Sequence, residues 1–149
     1  MVAASVAVVD DGKAMLVMGG VDAHHHALSS TQLVRPGHPT QPGPSLTGGV
    51  ASHCSVALQG DQVIIAGGQR LADRGHGSDV VEILNTSSHQ WTKTGSMKNP
   101  RDGHSRAQVW LDPDRLDGNI LSGDVSNTSV LSMVVAGGKA GYIYSLYTL

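Results

Sequence analysis

Residues 80–105 read VVEILNTSSHQWTKTGSMKNPRDGHS. A β-branched start runs into a polar turn, NTSSHQ. A lone Trp91 follows, then Met97, Pro100, Arg101 and His104. Apolar and β-branched residues between turn formers predict short strands rather than a helix. The stretch is either one isolated hairpin or one copy of a repeat, and the rest of the chain decides between them.

Three apolar runs end in a double glycine: MLVMGG at 15–20, VIIAGG at 63–68 and MVVAGG at 133–138. Other landmarks keep the same order. GPSL at 43–46 answers GSM at 95–97, and HCSVAL at 53–58 answers HSRAQV at 104–109. Asp11–Gly12 precedes the first run as Gly60–Asp61 precedes the second. Fixed-order self-similarity at this period indicates a repeat architecture. The middle copy predicts four strands: His53–Leu58, Val63–Ala66, Asp79–Leu84, and one from Trp91 to near Met97. We call these positions a, b, c and d.

VIIAGG, SDVVEILN, Trp91 and GSMKNPRDGHS together resemble the kelch repeat. The resemblance implies an all-β fold of antiparallel four-stranded blades, part of a kelch-type β-propeller. Three blades are expected: a degraded one at 1–52, a well-matched one at 53–103, and a truncated one at 104–149 with an insertion at 112–133. The first lacks a Trp in strand d, where RPGHPTQPGPSL stands instead. The motif positions are Gly19, Gly20, Gly67, Gly68, Gly137 and Gly138, which let backbones pack closely, and Trp91, which fills the gap between blades. Arg101 and His104 are placed to tie neighbouring copies by hydrogen bonds.

A closed propeller needs more blades than this, about four to eight. The expectation is therefore a fragment of a larger propeller or a truncated gene product, with self-association to complete the ring as the alternative.

Composition narrows function. The 149 residues carry a net charge of −2 with no long run of one sign, which gives no electrostatic case for a nucleic-acid partner. No window is long and apolar enough for a membrane helix. Phe is absent, so Val, Leu, Ile, Met and Ala must build the core. Cys54 is the single cysteine, and the start, MVAASVAVVDDGK, lacks a basic region before its apolar run. These features favour the cytoplasm over an extracellular setting, which an N-terminal truncation would reopen.

Strand reversal sorts the loops. The b–c and d–a connections share one face, and the a–b and c–d connections share the other. The first face receives VDAHHHALSS, QRLADRGHG and KNPRDG. Both N-x-S/T sequons, at Asn85 and Asn127, fall on the second.

The expected function is a protein-interaction module that binds another protein through loops of the first face. Arg70, Arg74, His76 and Arg101 are the expected contacts. No catalytic, metal or cofactor site is expected. His24–His25–His26 reads as a solvated loop, since consecutive side chains rarely converge on one ion. Cys54 reads as a buried small hydrophobe. Ser55, His53 and Asp61 have repeat equivalents, so structure accounts for them without a catalytic triad. Related propellers include copper oxidases and sugar isomerases, the alternative function. Against the oxidases, the only tyrosines are Tyr142, Tyr144 and Tyr147, all near one end.

Overall fold

Alternating burial along Ser5–Val9 (β1) and Ala14–Met18 (β2) builds the first sheet. Ala7, Leu16 and Met18 turn inward while Val6, Val8 and Met15 face out, as a strand's two-residue period requires. Thr31–Val34 (β3) and the two-residue Gln41–Pro42 (β4) complete it, in the order β1-β2-β3-β4. The structure is a computed structural model and describes residues 3–58, 62–70, 77–111, 130–136 and 145–148. No helix occurs among the described residues, and the strand pairings are antiparallel.

Val50–Ala51 (β5) follows, then Cys54–Leu58 (β6), Gln62–Ala66 (β7), Gln69–Arg70 (β8), Ser78–Asn85 (β9) and Gln90–Arg101 (β10). Strands β6, β7, β9 and β10 form the second sheet in sequence order, and β5 pairs with β8 as a small two-stranded sheet. Ser105–Leu111 (β11), Val130–Ala136 (β12) and Ser145–Thr148 (β13) form the third. Residues 130–133, expected within the insertion, belong to β12 and pair with β11. That boundary is corrected, because VLS continues the apolar run of MVVA. Residues 112–129 lie outside the described residues.

The sheets stack flank to flank. Ala7, Leu16 and Met18 of the first sheet meet Val63, Ile65 and Leu84 of the second, with Leu46 and Val50 from the connection between them. The second sheet's other flank gathers Cys54, Val56, Leu58, Ile64, Ala66, Val81 and Met97. Each large aliphatic side chain buried this way contributes about 1.5–3 kcal/mol. Trp91 packs into the first interface and donates Nε1–H to the Pro44 carbonyl at 2.9 Å. The indole thus joins two sheets by its ring and by its one polar atom.

Candidate interaction face

The double glycines bring the b–c loops and the d–a connections together. Gly20 N–H donates to Val50 O at 2.8 Å, and Gly68 N–H donates to Arg101 O at 2.7 Å. Gly19 and Gly67 each precede them with φ near +60°. A side chain at Gly67 would meet His104 Cε1 at 2.6 Å and Arg101 O at 2.7 Å. Val50 pairs with Arg70 and Ala51 with Gln69 across the same region. On the opposite face, Arg35 of the β3–β4 turn reaches Asp10 of the β1–β2 turn at 3.3 Å. The loop sorting by strand reversal therefore holds for the described connections.

A second ladder runs between the lead-ins to each strand a. Ala3, Ser52 and Gly103 all sit at φ between +54° and +58°. Ser52 N–H donates to Ala3 O, and Gly103 N–H donates to Ser52 O, both at 2.9 Å. Three different residue types hold one left-handed conformation at one repeat position.

The histidines continue this repeat. His53 Nε2 lies 2.6 Å from Ser5 Oγ, and His104 Nε2 lies 2.9 Å from Cys54 Sγ. In each case the His before one strand a reaches the first residue of the preceding strand a. Burial pushes the His53 pKa down to about 4, helped by the charges of Arg70 and His104. His104 is also lowered, by burial first and then by Arg101, while an Ala66 backbone hydrogen bond and Asp102 oppose the shift. Both imidazoles therefore bridge as neutral rings near pH 7. Because Ser5–His53 repeats it, the Cys54–His104 pair is an inter-sheet joint rather than an isolated nucleophile. Cys54 is buried.

Under the loops lies a polar cluster. Glu82 has no exposed surface, yet its carboxylate is well held. Arg70 Nη2 donates to its Oε1 at 3.0 Å, and Thr47 donates to it through both Oγ1 and the backbone N–H. A buried carboxylate persists only with such partners. Beside it, Gln69 Nε2 donates to Asp102 Oδ2.

This geometry corrects two expected contacts. The Arg70 side chain is only 11% exposed and is committed to Glu82. Arg101 has no exposed surface at all. Both belong to the frame under the face, and neither is available to a partner. Arg74, His76, Gly137, Gly138 and Asn127 lie outside the described residues.

Among the described residues of this face, those at 23–26 in the first b–c loop are exposed, as are Asn99, Pro100 and Gly103 of the d–a connection. Asp22 Oδ1 accepts from the backbone N–H of His24 and of His26, both at 2.8 Å, and His26 Nδ1 stands 3.3 Å from Asp22 Oδ2. Those backbone hydrogen bonds, the His26 one foremost, hold the Asp22 carboxyl below its usual range. Among the described residues, no group of three or more His, Cys, Asp or Glu is arranged to hold a metal ion.

The opposite face carries a cavity of about 680 Å³ between the first two sheets, with Leu16, Leu33, Pro42 and Leu84 among its apolar walls and Arg35 and His89 among its polar ones. Asn85 beside it is exposed, and its Oδ1 accepts from Ser88 N–H at 2.9 Å.

Residues 51–98 match the family model of the Kelch motif. The chain contains a kelch repeat. The match covers β6, β7 and β9 and runs into β10, the sheet whose flanks both carry core clusters. No curated protein matches the chain. Kelch repeats of about 50 residues form four-stranded propeller blades, and the antiparallel sheets here are of that propeller type. Kelch motifs mark protein-interaction modules and usually occur in non-enzymatic domains.

Sequence reasoning expected His104 to tie neighbouring copies, and its partner is Cys54; the matching Ser5–His53 joint was missed, although the signal was present. HCS and HSR align, and the Ser of ASV at 4–6 occupies the Cys54 position. It also missed Glu82 and Thr47, which come together from different copies.

Proposed function

We propose that this chain is a kelch-type binding module, without catalytic activity of its own, that engages a partner protein through its b–c loops. One observation carries the reading. The double-glycine ladders and the Arg70–Glu82–Thr47 cluster fix the bases of these connections, while residues 23–26 at a loop tip stay exposed. Rigid strands presenting exposed loop tips are the usual arrangement of a recognition surface. His24, His25 and His26 are contacts in this reading, with Arg74 and His76 of the next b–c loop. Arg70 and Arg101 support them from below.

Site-specific photocrosslinking tests the proposal. A crosslinker at His25 reports on this face and one at His38 on the opposite face. A discrete protein adduct at position 25, absent at 38, is expected. Adducts only at 38, or equal labelling at both, would overturn it.

A further inference from the structure

Asp–Gly occurs three times in the chain, at 11–12, 102–103 and 117–118, the last outside the described residues. The pair carries a chemistry of its own. The backbone nitrogen of the glycine can attack Cγ of the aspartate, since no Cβ shields that nitrogen. Three conditions decide whether a folded chain permits it. The carboxyl must be free to turn, the glycine N–H must be uncommitted, and the local backbone must have room to move.

The two described pairs meet these conditions in opposite ways. Asp11 and Gly12 are the central residues of the β1–β2 turn, which Lys13 N–H closes by donating to Asp10 O at 2.9 Å. Their φ values of +50° and +84° suit a type I′ hairpin turn, where Asp-Gly is a preferred pair. The closing hydrogen bond uses neither the Asp11 carboxyl nor the Gly12 N–H. Both residues are exposed, and nothing lies within 4 Å of a Cβ built at Gly12. Such a turn opens locally at little cost. Asp102–Gly103 is the reverse. Asp102 is 4% exposed, and its Oδ2 accepts from Gln69 Nε2. Gly103 N–H donates to Ser52 O at 2.9 Å. Nucleophile and electrophile are both held by other partners there.

We propose that Asp11–Gly12 is a site of spontaneous backbone isomerisation, and that the fold protects Asp102–Gly103 from the same reaction. The Gly12 nitrogen bonds to Asp11 Cγ, the carboxyl OH leaves with the amide proton as water, and a succinimide ring closes. Water then opens the ring at the former backbone carbonyl. The main chain now runs through Cβ and Cγ of residue 11, and the α-carboxylate becomes the side group. One water is lost and one regained, so the mass is unchanged and no cofactor takes part. The product lengthens the turn by one backbone carbon, which disturbs a register that the turn sets. Asp10, next in the turn, reaches Arg35 at 3.3 Å, and both line the cavity of this face. The change therefore falls opposite the proposed binding loops. Its new carboxylate is a substrate for an isoaspartyl-directed methyltransferase.

Prolonged incubation of folded residues 1–149 at neutral pH tests this, beside the same chain in urea. Peptide mapping by electron-transfer mass spectrometry locates isoaspartate, and circular dichroism confirms that the first sample stays folded. In urea both pairs isomerise at similar rates. In the folded chain isoaspartate accumulates at 11 and exceeds that at 102 by roughly tenfold or more, the effect of two hydrogen bonds that must break first. Asp11→Gly keeps a pair that suits this turn but has no carboxyl. It removes the label that an isoaspartyl methyltransferase places on the peptide carrying the turn. In the folded chain, isoaspartate at 102 matching that at 11, or none at 11, would overturn the proposal.

Discussion

Gly67→Ala is the substitution that most directly tests how these sheets are joined. Gly67 sits at φ +66°, and a methyl group there would lie 2.6 Å from His104 Cε1, 2.7 Å from Arg101 O and 2.9 Å from Met97 Cε. Two separate costs apply. The left-handed conformation costs an L residue roughly 1–2 kcal/mol. Forcing the methyl into packed backbone and side chain adds about 1–3 kcal/mol. Gly103 isolates the first cost, since it sits at φ +58° with nothing within 4 Å of its added methyl. Ala3 and Ser52 already occupy the repeat-equivalent conformation. Gly103→Ala should therefore lose about 1–2 kcal/mol and Gly67→Ala about 2–5. At this chain length each kcal/mol lowers Tm by roughly 2–4 °C. Thermal unfolding followed by circular dichroism gives both shifts side by side. If Gly67→Ala costs no more than Gly103→Ala, the close approach at the double glycine is not what constrains this position.

Three further outcomes follow from the same geometry. His53 has a folded pKa of about 4 against an ordinary 6.5, so between those values the unfolded chain takes up a proton that the folded chain refuses. Stability is then full above pH 6.5 and falls by about 3 kcal/mol as pH drops toward 4, with His104 acting in the same direction; urea midpoints across this window should show the slope, and His53→Asn should flatten it. Arg70→Met leaves the buried Glu82 carboxylate without its counter-ion and should cost about 3–5 kcal/mol, whereas Arg70→Met with Glu82→Leu should recover most of the loss in a double-mutant cycle. Trp91→Phe removes the Nε1 hydrogen bond to Pro44 and should cost about 1 kcal/mol, while Trp91→Ala should cost roughly 3, both read from denaturant unfolding.

The middle sheet was the most legible part of the sequence. Its expected strands begin within a residue of β6, β7, β9 and β10, because NTSSHQ and the double glycine bound short apolar runs on both sides. The end of β10 was less clear. That strand continues to Arg101 through register shifts between Lys93 and Ser96 and between Ser96 and Arg101. Gly95 and Pro100 fall in those intervals, and each weakens a regular ladder without ending the extended chain. The frame beneath the loops was not legible. Arg70 reads as a loop cation until Glu82 and Thr47 are seen to converge on it, and that convergence depends on how two sheets stack rather than on spacing along either. Arg101 reads both as a tie between copies and as a surface contact, and only its complete burial in the fold decides against the second. The histidine joints lie between these cases: the aligned HCS and HSR marked the positions, but the bridges they form needed three dimensions.

The two-residue β4 has a consequence for how this protein meets others. It is the outer edge of the first sheet, and Pro42 occupies half of it. A proline there offers no N–H to an arriving strand. Sideways growth of the sheet, the common path to runaway aggregation, is blunted where an exposed edge would invite it. Contact through a flank stops once that flank is covered, whereas an open edge always presents another edge. The segment that departs most from the repeat pattern thus acts as a guard, directing any association of this chain toward contacts that end.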